Sequence, residues 1–447
     1  MKDIVTRFTI KSRGAISTVS IMIVILAILS ACSSGGSAGS TNFADSTPIT
    51  IGASFSNSGD FADDGKAVEK GYRLWAQMVN NSGGILGRPV QLVILHDDSD
   101  PDHVAANYRT LIDKDHVDLV VGPFSTLLTK AAAIVADGGN ASHKVYAFVE
   151  GSGGGPSVFD AHHENLFSTS VPAVNNLATF ADYILSLPET LNGKPYRPAT
   201  AAYATSNDFF TQPQLQKAET IMVNGGIKTV FSNTGAGFPS DGQPYSADDP
   251  NYVTKFIPGV AQKIVDSKAQ VVLLGTQFPD VIAYLNVFKK DHYNPQAIIA
   301  TAGPDQGQDF IKAVGGVSYT QDIFVPNSWY PDANTFQNAQ MVQAYLAQYG
   351  GSKYDINADV AEAFSVGQVL QQAITKIHSI DNTALINELH NDVFNGVQGP
   401  EEFPSDLYGQ NSLALAYLFQ WQNGNFIPVY PSSAATGNPQ FPKAANY

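Results

Sequence analysis

Several stretches of this 447-residue chain carry residue types and spacings that could do chemistry. Asp97, Asp98 and Asp100 close an apolar run, Val90 to Leu95. Clustered carboxylates suit a hard cation. They equally suit loop and helix-start amides, with Asp100-Pro101 opening a turn. Gly59 to Lys66 (GDFADDGK) has the outline of a phosphate loop, but five residues separate its glycines instead of four, and Ala67 stands where a magnesium-binding hydroxyl belongs. Gly35-Gly36-Ser37-Ala38-Gly39 satisfies the GxSxG nucleophile pattern, yet no strand precedes it and no helix follows, so Ser37 reads as linker. His162 and His163 are adjacent and cannot share a helical face, and HExxH is absent. The single cysteine, Cys32, excludes an intrachain disulfide and any cysteine-based zinc site. With no credible nucleophile and base, the chain reads as a non-enzyme, without cofactor or metal.

Binding has better support. Ser125 and Thr126 stand before an alanine-rich helix, Thr129 to Ala136. Free N–H groups and the helix dipole make such a start a seat for a carboxylate; the two hydroxyls could equally cap the helix.

The elements that must position them alternate. Ile49 to Phe55 reads as a strand, and Gly65 to Asn80 as a helix with Val68, Tyr72, Trp75, Ala76 and Val79 on one face. A glycine-rich turn (Gly83, Gly84, Gly87) leads into the strand Val90 to Leu95, and His103 to Lys114 continues as helix. Further βα units end in loops of small polar residues, including Glu150 to Pro156. From about Val171 the pattern restarts, with a Gly/Pro/Ser/Asp loop at Gly235 to Asp249. Two βα halves of similar build argue for two Rossmann-like α/β lobes. Length points the same way.

Hydrophobic content of 44% with 15% charged residues is that of a soluble globular protein, and a formal net charge of −15 argues against nucleic-acid binding. The start reads as a targeting segment. A basic stretch (Lys2, Arg7, Lys11, Arg13) precedes the apolar run Ile21 to Leu29, which is too short to span a bilayer. Leu29-Ser30-Ala31-Cys32 resembles a bacterial lipobox, which implies a lipidated Cys32 and an anchor outside the cytoplasm. Residues 1–31 are then a signal peptide, and 32–47 a flexible tether by composition.

The segment GGILGRPVQL, followed by DDSDP (Gly83 to Pro101), resembles the periplasmic solute-binding proteins of the leucine/isoleucine/valine type. These are extracytoplasmic receptors of ABC importers with the type I fold. The resemblance runs from about Ile49 to Gln420. It implies three crossings between lobes, near 171, 326 and 398, with residues 48–171 and 327–397 in lobe 1 and 172–326 and 398–447 in lobe 2. In that family the acidic cluster after the strand is structural. The resemblance carries the carboxylate-binding hydroxyl to Thr126, with Ser125 beside it, and the second contact loop to Ser152 and Gly153, where three consecutive glycines depart from the usual polar run. Gly303-Pro304-Asp305 resembles the family's Gly-Pro-Glu, which implies that Asp305 meets a ligand ammonium. Phe209 and Phe278 match aromatic wall positions, and Trp329 or Tyr330 lies just after a crossing. Asp64 takes a position that is often aromatic. The implied function is capture of a small ligand, an amino acid of branched-chain or similar kind, for a membrane permease, by a monomer that closes two lobes. An amide, urea or aromatic acid is the alternative ligand, and a sensory receptor of the same fold the alternative role.

Overall fold

The computed structural model describes residues 43–206, 210–234 and 252–445. The signal peptide, Cys32, Ser37, the 235–249 loop and Phe209 lie outside the described residues.

The first sheet is parallel throughout: β1 (Ile49–Phe55), β2 (Val90–His96), β3 (Leu119–Val121), β4 (Phe148–Glu150) and β5 (Leu166–Ser168), in the order β2-β1-β3-β4-β5. Between them run α1 (Ala62–Asn81), α2 (Pro101–Asp113) and α3 (Thr126–Ala136). The second half repeats this order. Its strands run Lys228–Ser232, Thr200–Thr205, Val271–Gly275, Ala297–Ala300 and Phe324–Asn327 across the sheet, all parallel. An antiparallel hairpin, Tyr417–Gln422 with Asn425–Tyr430, then extends that sheet. In each sheet the first and third strands of the half are neighbours whose following connections diverge. That divergence opens a crevice at the carboxyl ends, where open α/β sheets bind ligands.

Both faces of both sheets are covered, as parallel strands require. On one face of the first sheet, α1 packs on the long helix Ala358–Ile377, joining Tyr72, Trp75 and Phe364 in one buried cluster. Two glycines permit this approach. A Cβ on Gly71 would lie 2.3 Å from the Val360 carbonyl oxygen, and one on Gly367 would lie 2.2 Å from the Trp75 ring. On the other face, Tyr108, Leu111 and Leu128 of α2 and α3 pack on Val120 and Phe148.

The glycine turn has a local cause. Ile85 and Arg88 exchange backbone hydrogen bonds, and a Cβ on Gly84 (φ +79°) would collide with the Arg88 carbonyl. Arg88 then donates to the carbonyls of Thr47 (3.0 Å) and Pro48 (2.8 Å), while the Asp45 amide donates to Gly87. Residues 43–47, expected as the end of a tether, are therefore docked on this turn, and the compact unit starts at Phe43. The acidic cluster is likewise absorbed by local bonds. Asp97 is buried and accepts from the Ser54 and Ser56 hydroxyls (2.7 and 2.6 Å), and Asp100 caps α2 through the amides of Asp102 and His103.

The chain passes from the first sheet to the second between Ser168, in β5, and Ala173, which is buried in the second half. It returns between Asn327, in the second sheet, and Trp329, in the first core. The third crossing, expected near 398, falls between Asn411 and Tyr417. A hairpin (Val393–Gly396 with Gly399–Glu402) buries Phe394, Val397 and Phe403 in the first core. Gly409 then accepts from the Ser168 amide and Asn411 donates to Thr169. Residues 398–411 thus stay with the first sheet because three apolar side chains anchor them there.

Candidate ligand-binding site

The carboxyl ends of both sheets open onto a single cavity of about 140 Å³. From the first sheet come Phe61 and Asp64, which follow β1, and Phe124, Ser125 and Thr126, which follow β3. From the second come Phe210, Gln277 and Thr301, each after a strand end, with Asp305 and Gln306 close behind. The crossing segments form part of the wall through Ser170, Val171, Asn327 and Ser328. Asp359 and Glu362 complete it from the first two turns of the Ala358–Ile377 helix.

Ser125 caps α3, its hydroxyl accepting from the Leu128 amide at 3.3 Å, and its backbone sits at φ 74°, ψ 152°. A positive φ on a non-glycine residue costs of order 1–3 kcal/mol and collects at functional sites. Thr126 is buried, and its hydroxyl accepts from the Gly155 amide at 3.1 Å, tying the Ser152–Gly155 loop to the start of α3. Ser152 donates through its hydroxyl to Glu362 at 3.4 Å and through its amide to Glu150 at 2.8 Å. Asp305 accepts from the Gly303 amide at 2.8 Å. Asp64 accepts from Gln306 of the other lobe at 2.5 Å, so a hydrogen bond spans the cleft.

The cavity is strongly acidic. Asp64 and Asp359 stand side by side on the cavity wall. Burial, and then the carboxylates nearby, raise the pKa of both. Burial also raises Asp305 and lifts Glu362 to about 8, in the latter case against the lowering effect of the Ser328 hydroxyl, which donates to it at 2.7 Å. Behind them Glu150 is fully buried and is pushed by burial to about 7.

Of the residues expected from sequence, Asp64, Ser125, Thr126, Ser152 and Asp305 come together around this cavity. Three do not. Gly153 lies behind the lining with its amide on Glu150, and a Cβ there would stand 2.7 Å from Thr129. Phe278 begins a helix and packs under Gly303 against the second core. Trp329 is 2% exposed in the first core, its indole donating to Asn338 at 2.7 Å. Packing claimed these two aromatic rings, which is the ordinary fate of such side chains.

Sequence reasoning missed Phe61, Phe124, Gln306, Asp359 and Glu362. A signal existed for the last two. From Ala358 to Thr375 they are the only charged residues on a helix whose other positions are largely buried, and they stand three apart on one face.

The sequence matches the family model for periplasmic binding proteins over residues 48–425. The Leu/Ile/Val-binding protein homolog 7 of Brucella abortus is 23% identical over 411 residues, covering 89% of this chain and 95% of that protein. Among solved structures, the branched-chain amino acid transporter substrate-binding protein LivJ from Streptococcus pneumoniae, in complex with isoleucine, matches with a TM-score of 0.67 at 18% identity, covering 85% of this chain and 98% of the other. An ABC transporter solute-binding protein from R. palustris, in complex with benzoate, gives a TM-score of 0.67 at 15% identity over 89% of this chain and 98% of the other. These likenesses to solved structures fix the fold. With the family match, the repeated sheet order and the cavity at both sets of strand ends, this chain belongs to the periplasmic binding proteins, in their two-lobed type I fold.

Proposed function

We propose that this protein is the extracytoplasmic receptor of an ABC importer. It captures a small solute bearing an ammonium group, with an amino acid as the leading class, and presents it to a membrane permease. The observation that carries this reading is the pairing of Asp64 and Asp305 from opposite lobes around one cavity. A cation between them is held by both lobes and favours their closure. The α3 start, with Ser125 and Thr126, offers an amino acid's carboxylate a seat on the same wall. Cys32 holds the protein to the membrane through a lipid, and the receptor works as a monomer. Among the described residues no helix is long and apolar enough to cross a membrane.

A neutral amide or an aromatic acid is the second reading, and the benzoate-bound structural relative supports it. It would leave the acidic wall without a countercharge. The test is thermal unfolding of residues 33–447 against amino acids, amides, urea and aromatic acids. A ligand at about 100 times its dissociation constant stabilises by about 2.7 kcal/mol. A shift with amine-bearing solutes that Asp305→Ala abolishes is the expected result. A shift confined to solutes without an amino group removes the ammonium site.

A further inference from the structure

We infer that the cleft selects an organic dication, a solute with two ammonium or guanidinium centres joined by a short apolar spacer. This rests on the receptor reading above and narrows its ligand class.

Four carboxyl groups line the cavity, those of Asp64, Asp305, Asp359 and Glu362, and among the described lining residues there is no lysine, arginine or histidine. Further acids stand behind or beside them. Glu150 underlies the Ser152–Gly153 loop, Asp63 adjoins Asp64, and Glu401 lies within electrostatic reach of Glu362. Ionisation of these carboxyl groups would leave the wall with several negative charges. A zwitterionic amino acid brings no net charge and would leave them uncompensated in an enclosed site, which is costly. Two cationic centres supply the missing countercharge.

Placement agrees with this. Asp359 and Glu362 are three residues apart on one helix, so their Cβ atoms are about 5–6 Å apart. Asp359 faces Asp64, while Glu362 faces Ser152 and Ser328, so the acids form two receiving points along the cavity. They do not converge: among the described residues no group of three or more His, Cys, Asp or Glu is placed to hold a metal ion. The same cavity also has aromatic walls. Phe61 and Phe124 meet edge to face at 5.7 Å, and Phe210 faces in from the other lobe. Such rings cover a methylene spacer and attract ammonium or guanidinium groups through their faces.

Binding then has a proton signature. Without a cation, burial keeps the carboxyl groups of Glu362 and Asp64 partly protonated near neutral pH. A dication favours the ionised forms, so its affinity rises with pH and protons are released on binding.

The test is titration calorimetry on residues 33–447 at pH 6 and pH 8, in two buffers of different ionisation enthalpy. The probes are 1,5-diaminopentane and agmatine, their carboxylated counterparts lysine and arginine, and leucine. The expected result is a dicationic probe binding at least about tenfold more tightly than leucine. Its affinity should rise from pH 6 to pH 8 with proton release, and fall at least about tenfold in Glu362→Gln. Asp359→Asn serves as the second variant, and unfolding midpoints verify that both are folded. Lysine or arginine surpassing its decarboxylated counterpart means that the α3 start reads a carboxylate; the reverse means a diamine ligand. Leucine binding as tightly as every dication overturns the inference and leaves the receptor reading standing. No binding of any dication also overturns it, and if leucine fails too, the ammonium reading falls with it.

Discussion

Replacing Glu150 by glutamine isolates the electrostatic cost that this cleft carries. Glu150 ends β4, is fully buried, and accepts the amides of Ser152 and Gly153 through one oxygen. Burial outweighs those bonds and the Ser168 hydroxyl, and lifts its pKa from 4.5 to about 7. In the unfolded chain the group ionises near the lower value. Between the two, the unfolded state has released a proton that the folded state still holds, so stability falls as pH rises through the window. Linkage between pH 5 and pH 8 gives a loss of about 2.5 kcal/mol from this one group. Glutamine preserves the size and an acceptor for the two amides but cannot ionise. Urea unfolding of the ligand-free protein and of Glu150→Gln should therefore diverge with pH, the variant gaining about 2.5 kcal/mol on the parent between pH 5 and pH 8. A stability gap that is the same at both pH values would refute the reasoning, because it would mean that the carboxyl group ionises alike in both states.

Other perturbations probe the frame around the site. Gly367→Ala drives a methyl into the Trp75 ring and should cost about 3 kcal/mol in urea unfolding, because neither α1 nor its partner helix can withdraw without opening the core. Asp97→Ala leaves the buried Ser54 and Ser56 hydroxyls without their acceptor and should destabilise by about 1–3 kcal/mol without removing a ligand contact. Asp100→Ala removes the cap of α2, and a loss of about 1 kcal/mol is expected. Trp329→Phe keeps most of the buried ring and loses the bond to Asn338; the unfolding midpoint should drop while calorimetric affinity for any cleft ligand stays within about twofold.

The fold was legible wherever local chemistry and burial agree. The βα alternation, the Arg88 turn and the restart near Val171 all carry that consistency. The hairpin at 393–402 and the placement of residues up to Asn411 were not legible, because their anchor is a handful of contacts with Phe167 and its neighbours, far away in sequence. The final hairpin did carry a signal that went unread: Asn423-Gly424, both at positive φ, between two runs of strand-forming residues. In the site, hydroxyls beside a helix start and an acid after a Gly-Pro turn could be read from sequence. Asp359 and Glu362 could not be assigned to the same cavity, since only the packing of the Ala358–Ile377 helix against α1 brings them to Asp64. Phe278, carried over from the family's wall positions, and Trp329, just after a crossing, misled because an aromatic side chain serves a core as readily as a wall.

The central claim is that a small cationic solute sits between the two lobes, held by carboxylates from both. A crystal structure of the protein with the tightest solute from the unfolding screen tests it most directly. The account predicts density in the cavity between Phe61, Phe124 and Phe210, with an amine nitrogen within hydrogen-bonding distance of Asp305 or of the Asp64–Asp359 pair. Density elsewhere, as in the separate hollow lined by Tyr330 and Phe426, or a solute in the cleft with no cationic group on these acids, would contradict it.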